Sequence, residues 1–251
     1  MNAPHTPASA RPHLARRLGA EFLGTALLLT IVVGSGIAAS TLSPDDVGLQ
    51  LLENSTATAL GLAVLILMFG PVSGAHFNPI VTLVDGVLGA RRGTGLPLRD
   101  VLPYLVTQVT GAFAGTVLAN VMFDVPTQIA TTDRATGGRL IGEIVATAGL
   151  VFLIVALARS GRGVVTAAAV GAYIGAAYWF TSSTSFANPA VTIGRMFSDT
   201  FAGIAPGSAP LFILMQLIGG AIGLTAVVLL YPDASRRAGD VVVPTSVNPA
   251  L

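Results

Sequence analysis

Long apolar runs alternate with short polar segments along the chain, and their lengths predict helices that span a membrane. About 20 apolar residues are needed to cross a hydrocarbon core as a helix. Runs of about that length cover residues 18–39, 50–70, 102–123, 140–158, 164–182 and 210–231. Two further apolar stretches, 78–89 and 188–198, are too short to cross, and each begins at an Asn-Pro pair. Asn favours the N-cap and Pro the first helical turn, so each stretch predicts a half-helix that begins inside the membrane.

The pattern of the first half recurs in the second half. The matched segments are AEFLGTALL at 20–28 with GEIVATAGL at 142–150, FNPIVTL at 77–83 with ANPAVTI at 187–193, and QVTGAFAG at 108–115 with QLIGGAIG at 216–223. Each half holds an odd number of spans, so the second copy must enter the membrane from the opposite face. The sequence therefore predicts an all-α integral membrane protein, an inverted repeat of six transmembrane helices plus two re-entrant half-helices.

The same pattern predicts the boundaries of a single channel domain. It spans residues 15–231, with repeat one at about 15–125 and repeat two at about 138–231. A Pro- and Ala-rich segment, 1–14, is expected to be a disordered leader, and 232–251 a polar tail. A third Asn-Pro-Ala, at 248–250, lies in that tail and is assigned no role.

The composition agrees with a membrane protein and excludes several kinds of chemistry. Hydrophobic residues make up 53% of the 251 residues and charged residues only 10%, against about 25% charged residues in a soluble domain. The absence of cysteine excludes thiolate metal sites and cysteine nucleophiles. No phosphate loop, metal-ligand cluster or nucleophile–base pair is recognisable, so we expect no enzyme, no cofactor, no metal and no nucleic-acid partner.

The distribution of arginine predicts the orientation of the chain. With the N-terminus inside, ten arginines flank the spans on the cytoplasmic side and three on the outer side. The positive-inside rule then places both termini in the cytoplasm. All 13 basic residues are arginine, which favours a GC-rich bacterial genome and a bacterial inner membrane.

The two half-helices predict a pore for neutral molecules. Non-helical backbone at membrane depth is tolerated only inside protein or beside water. Both half-helices point their positively polarised N-termini at the bilayer centre, which repels cations and protons. The amides of Asn78 and Asn188 would offer hydrogen-bond donors there to small neutral solutes and water.

Paired motifs within a matched duplication resemble the aquaporin (major intrinsic protein) family over nearly the whole chain. The motif residues are Asn78, Pro79 and Ile80 in GAHFNPIVTL, and Asn188, Pro189 and Ala190 in SFANPAVT. The resemblance implies a right-handed six-helix bundle with one pore per subunit, assembled as a homotetramer in the lipid bilayer.

The family's selectivity filter uses four positions, and the resemblance places them at Thr58, Ala176 (to within one residue), Ser185 and Val191. Val191 stands where the family usually has arginine, and the other three residues are small. The resemblance therefore implies a wide, Arg-free filter that passes water and larger neutral solutes. The Val in NPAVT is also similar to bacterial aquaporins found beside arsenic-resistance genes, which implies arsenite, methylated arsenicals or glycerol-like solutes.

Several polar residues have both a functional and a structural interpretation. Arg195 either draws solutes into the outer vestibule or forms a surface salt bridge with Asp199. His76 is expected to line the inner pore, as the family's matching histidine does. Tyr178, with the tryptophan beside it, is interpreted as an interfacial anchor.

Glu21 and Glu143 lie inside predicted spans at matched positions of the two repeats. Their symmetry favours a structural role, accepting hydrogen bonds from non-helical loop backbone. Alternatively, they carry protons in a coupled secondary transporter. A strict water channel is a further alternative to the passive solute channel that the sequence favours.

Overall fold

The computed structural model describes residues 11–90, 95–159 and 163–231. In these residues the chain is helical and forms no strand. The helices are α1 (Leu14–Leu42), α2 (Val47–Ser73), α3 (Pro79–Ala90), α4 (Leu98–Met122), α5 (Gly137–Arg159), α6 (Gly163–Phe180), α7 (Pro189–Gly194) and α8 (Ala209–Leu230). A short 3-10 helix, Arg195–Phe197, follows α7 directly.

The predicted fold class is confirmed. Among the described residues, α1, α2, α4, α5 and α8 are each long and apolar enough to cross a membrane. The 18 residues of α6 extend about 27 Å at 1.5 Å per residue, close to the thickness of a hydrocarbon core. The two short helices that begin at Asn-Pro, α3 and α7, are the re-entrant half-helices.

Some predictions fall wholly or partly outside the described residues. These are most of the leader 1–14, the tail 232–251 with its third Asn-Pro-Ala, and several arginines of the predicted inner side, Arg91, Arg92, Arg162, Arg236 and Arg237. At the described end of the leader, α1 begins at Leu14, where the Nδ1 of His13 accepts a hydrogen bond from the backbone of Ala15.

Glycines bring the helices of each repeat into close contact. On α4, Gly111 faces the backbone of α1, where a Cβ atom would lie 2.6 Å from the carbonyl oxygen of Phe22. On α8, Gly219 faces α5 in the same way, 2.6 Å from the carbonyl oxygen of Ile144. Residues without side chains allow helix backbones to approach within a membrane. The pairs α1–α4 and α5–α8 thus form equivalent halves of the bundle, and α2 packs on α6 between them.

Candidate functional site

The two half-helices begin at buried asparagine caps. The Oδ1 atom of Asn78 accepts a hydrogen bond from the backbone of Ile80, and that of Asn188 accepts one from Ala190, both at 2.9 Å. An asparagine oxygen satisfies N–H groups that the first helical turn leaves unpaired. The Asn-Pro pairs therefore act as N-terminal caps, as the sequence predicts.

The same asparagines join the two repeats at their re-entrant loops. The Nδ2 atom of Asn78 donates to the carbonyl oxygen of Ala187, and the Nδ2 atom of Asn188 donates to that of Phe77, both at 2.8 Å. Each amide group has a second N–H, and both asparagines line the central cavity. The half-helix N-termini are thus held face to face, with donor groups beside the cavity.

A buried glutamate holds the re-entrant loop of the second repeat. Glu143 accepts hydrogen bonds from the backbone N–H groups of Phe186 and Ala187, both at 2.9 Å, and from Nε2 of Gln216 at 2.6 Å. Nε2 of Gln216 also donates to the hydroxyl of Thr192 on α7. The carboxylate therefore connects α5, the loop, α8 and the half-helix.

The first repeat contains the matching set of contacts. Glu21 accepts from the backbone of His76 at 3.0 Å and of Phe77 at 2.8 Å, and from Nε2 of Gln108 at 2.7 Å. The hydroxyl of Ser73 also donates to it, at 2.6 Å. Both glutamates are fully buried, and all their contacts are to groups that position a loop.

These bonds orient the loop carbonyls. In a planar trans peptide the N–H and C=O groups point in opposite directions. Since Glu143 binds the N–H groups of Phe186 and Ala187, the carbonyls of Ser185 and Phe186 point away from it. The loop has left-handed backbone at Ser185 (φ 50°) and Ala187 (φ 49°), a conformation rare for residues other than glycine. The equivalent residues of the first loop, Ala75 and Phe77, have φ 50°.

One cavity runs past both re-entrant loops and is lined by two chemically different sets of residues. The apolar set comes from α1, α2, α5 and α6 and from the half-helices: Leu28, Val32, Leu62, Ile66, Val81, Leu150, Ile154, Val170, Ile174 and Val191. The second set consists of loop residues and polar side chains: Thr58, Ala75, His76, Phe77, Asn78, Tyr178, Ser185, Phe186, Asn188 and Arg195. A solute in this cavity meets both hydrogen-bonding groups and hydrocarbon.

Three of the four predicted filter residues line this cavity, namely Thr58, Ser185 and Val191. The Oγ atom of Ser185 is buried without a hydrogen-bond partner among the described residues. Ala176, in contrast, lies on the exposed face of α6. Residues two positions apart in a helix are about 200° apart around its axis. Ala176 is two positions from both Ile174 and Tyr178, which line the cavity, so it faces away from it. The prediction for α6 was therefore wrong by two residues.

The cavity-lining residues of α6 are Val170, Ile174 and Tyr178, which lie one turn apart from each other on the same face. The hydroxyl of Tyr178 is 3.3 Å from that of Thr58, and the side chain is 3% exposed. The interpretation of Tyr178 as an interfacial anchor was also wrong, whereas the neighbouring Trp179 is 51% exposed. The opening is thus lined by a large aromatic residue as well as small ones.

Arg195 lies in the cavity and not in a surface salt bridge. It is 2% exposed and lines the cavity, with its Cζ atom 3.5 Å from the ring centroid of Phe186. Its Nε atom donates to the carbonyl oxygen of Ala202. The predicted partner Asp199 instead accepts hydrogen bonds from Thr131, and no ion pair among the described residues includes Arg195.

This position corrects the alternative of a surface salt bridge with Asp199. It also gives the cavity a guanidinium, although Val191 leaves the predicted filter positions without an arginine. Helical side chains point back towards the N-terminus of their helix, so the guanidinium of Arg195 reaches back along α7.

His76 lines the other end of the cavity. Its Nδ1 atom is 3.2 Å from the hydroxyl of Thr82, and its Nε2 atom is 3.6 Å from Oδ2 of Asp85. Asp85 also accepts a hydrogen bond from the backbone of Leu96 at 2.7 Å. Within the described part of the chain, no group of three or more His, Cys, Asp or Glu residues could hold a metal ion.

Comparison with known proteins connects this arrangement to a family of channels. The family model described as Major intrinsic protein matches residues 8–186. The chain is 49% identical over 212 residues to Aquaglyceroporin AqpS of Rhizobium meliloti (strain 1021), covering 84% of this chain and 88% of that protein. It is 31% identical to Probable aquaporin NIP7-1 of Arabidopsis thaliana, over 92% of this chain and 80% of that protein.

The fold also resembles that of a solved structure, the X-ray structure of the aquaglyceroporin from Plasmodium falciparum. The TM-score is 0.64 at 18% sequence identity, and the match covers 89% of this chain and all (100%) of that one. At this identity the likeness concerns the fold.

Proposed function

Since the chain belongs to the major intrinsic protein family, and so to multi-pass membrane channels for water and small solutes, we propose that it conducts small uncharged hydroxylated solutes together with water. The solutes we infer are metalloid acids, such as arsenous acid and methylated arsenicals, and glycerol-like molecules. Flow through such a channel is passive and follows the solute gradient.

The observation that carries this proposal is the mixed polar and apolar lining of the cavity. A solute with several hydroxyl groups can exchange hydrogen bonds with the loops and with the amides of Asn78 and Asn188, while its non-polar atoms lie against the apolar residues. The carboxylates of Glu21 and Glu143 are occupied by loop and glutamine N–H groups. A cation therefore meets the positive ends of two half-helices, and no Asp or Glu among the described residues lines the cavity to compensate for its lost hydration.

Two further features support solutes larger than water. Val191 leaves an apolar side chain on α7 at the position directly after the second motif, where a larger polar residue would occupy part of the cavity. The name of the Rhizobium relative, aquaglyceroporin, also describes a channel for solutes besides water. For trivalent arsenic, the absence of cysteine removes the thiolates that would retain it.

The test is stopped-flow light scattering of proteoliposomes with water, glycerol and arsenous acid. We expect the native protein to conduct all three and Val191→Arg to reduce glycerol and arsenous acid flux at least tenfold while sparing water. Val191→Ile, which stays apolar, is the matched control and should keep the native solute-to-water ratio. A native protein that conducts only water would support the strict water channel and contradict the proposed solute class.

The same vesicles separate a channel from a coupled transporter. A passive channel gives flux that rises linearly with solute concentration and does not respond to a pH gradient. The loop contacts of both glutamates support this outcome, since a proton carrier needs a carboxyl group free to lose and gain its proton. Saturating flux driven by a pH gradient would contradict the channel.

Assembly and orientation follow from the same family resemblance. We propose a homotetramer with one pore per subunit, in a bacterial inner membrane, with both termini in the cytoplasm. Mass measurement of the detergent-solubilised protein tests the tetramer. Protease accessibility of terminal tags in inside-out and right-side-out vesicles tests the orientation.

A further inference from the structure

Arg195 is buried although it carries a charge. Charged side chains are among the least often buried, yet this one is 2% exposed. It lies in the 3-10 helix after α7 and lines the cavity together with Ser185 and Phe186 of the loop that leads into that half-helix. Arg195 therefore belongs to the same re-entrant segment as Asn188.

The ring of Phe186 forms a fixed support for this guanidinium. The Cζ atom of Arg195 is 3.5 Å from the ring centroid, and the Cζ atom of Arg134 is 5.4 Å from the same centroid. The ring packs at 5.2 Å against Phe212 of α8, and the backbone of Phe186 is bound by Glu143. Contact between a cation and an aromatic face is favourable, particularly away from water.

The two arginines on this ring differ in how their donors are used. Arg134 donates through Nε to the carbonyl of Gly203 and through a terminal nitrogen to that of Phe201, at 2.6 and 2.9 Å. Arg195 donates only through Nε, to Ala202, within the described residues. A guanidinium has five N–H donors, and buried donors need partners. Because Arg195 lines the cavity, its remaining N–H groups are available to a molecule inside it.

We propose that Arg195 determines selectivity in this channel, by excluding cations and by donating hydrogen bonds to the oxygens of neutral hydroxylated solutes. It provides the guanidinium that Val191 does not provide, from four residues further along the chain. The solute part of the proposal rests on the proposed function, whereas the exclusion of cations does not depend on which neutral solute is conducted. The anchoring by Ala202 and Phe186 fixes the direction in which the terminal N–H groups point.

Arg195→Met removes the charge and the donors but keeps a flexible, apolar side chain. We expect the permeability to potassium or methylammonium, expressed relative to water permeability in the same vesicles, to rise about tenfold. A guanidinium about 10 Å from a permeating cation, at an effective dielectric constant of about 20, repels that cation by an energy that corresponds to about this factor. The glycerol-to-water ratio should change as well. Arg195→Lys should keep cations out but lose the paired donor geometry, so that only the solute ratio changes.

Ratios are measured because they do not depend on how many channels assemble. If Arg195 only stabilised the loop through Ala202, Arg195→Met would lower every flux together and leave both ratios native, which would overturn the proposal. Arg139→Met is the matched control, since this arginine lies outside the cavity lining and should leave both ratios unchanged.

A second variant covers the case in which Arg195→Met does not assemble. Arg195→Gln keeps an amide donor within reach of Ala202 while removing the charge, and the same rise in cation permeability is expected. If native vesicles exclude glycerol and arsenous acid, the proposed solute class fails, and the cation readout still decides the role of Arg195. If Arg195→Gln conducts water and excludes cations as the native protein does, the proposal is wrong.

Discussion

Glu21 and Glu143 show how a single residue can fix the shape of a channel. Each is fully buried and accepts two backbone N–H groups of a loop that no helix or strand would otherwise satisfy. A buried carboxylate is costly unless it is surrounded by donors. Here the donors are the loop itself, so the same bonds that stabilise the charge also turn the carbonyls away from it.

Glu143→Gln should destabilise the fold by about 2–3 kcal/mol, since an amide NH₂ would face donors that now lack an acceptor. Thermal unfolding of the purified protein in detergent measures this as a lower midpoint. Asp45→Asn, the same chemical change at an exposed position, is the matched control and should leave the midpoint unchanged. An unaltered midpoint for Glu143→Gln would show that the loop does not depend on the carboxylate.

Individual residues also show where sequence reasoning succeeds and fails. The placement of Asn78, Asn188 and the two glutamates follows from local motifs and repeat symmetry, both visible in the sequence. Tyr178 and Arg195 could not be placed by counting. The first depends on the rotation of α6 about its own axis, and the second on the direction of a long side chain.

At the level of elements, each repeat depends on a helix pair that meets without intervening side chains. On α4, Gly115 faces the carbonyl oxygen of Ala26 of α1, and on α8, Gly223 faces that of Ala148 of α5. Helix lengths and the repeated glycines could be predicted from the sequence, because apolar length and glycine spacing are local properties. The resulting contacts also hold α1 and α5 where their glutamates reach the loops.

Gly115→Ala should destabilise the protein, because its Cβ atom would collide with the backbone of Ala26. Overpacking of this kind costs about 1–3 kcal/mol, measured as a lower unfolding midpoint in detergent. Gly223→Ala should behave similarly in the second repeat. Gly19→Ala is the matched control on α1, where a Cβ atom meets nothing within 4 Å. Equal midpoints for Gly115→Ala and Gly19→Ala would show that the helices can separate freely.

At the scale of the whole molecule, the segment that connects the repeats also packs against the segment that follows the second half-helix. Between α4 and α5, the backbone of Ala130 donates to Met196 at 2.8 Å, and that of Ala205 donates to Thr132 at 2.7 Å. Arg134 binds two carbonyls of the same region. The connection is therefore part of the wall behind Arg195, which the lengths of apolar runs could not indicate.

The connection should make stability depend on pH in acid. The hydroxyl of Ser208 and then the backbone N–H of Ala135 hold the pKa of Asp133 below its ordinary value of 3.8. A lowered pKa in the folded state means that the stabilisation is present above about pH 4 and is lost as the pH falls below it. Asp133→Asn should remove this part of the pH dependence, measured as unfolding midpoints between about pH 2.5 and 6.

Asp45→Asn is again the control for this measurement, since Asp45 is exposed. It should leave the acid slope of the native protein intact. A native midpoint that does not change below pH 4 would show that the contact between Asp133 and Ser208 contributes nothing to stability.

The hydrogen bonds by which Asn78 and Asn188 join the two repeats can form only after both repeats have been synthesised. Asn78 finds its acceptor on Ala187, a residue 109 positions later in the chain. A ribosome adding about 5–20 residues per second needs about 5–20 seconds to synthesise that partner. During this interval the first half-helix is in the translocon or the bilayer with its cross-repeat bond unmade. The nascent chain must therefore keep that loop hydrated or shielded until its own second half arrives.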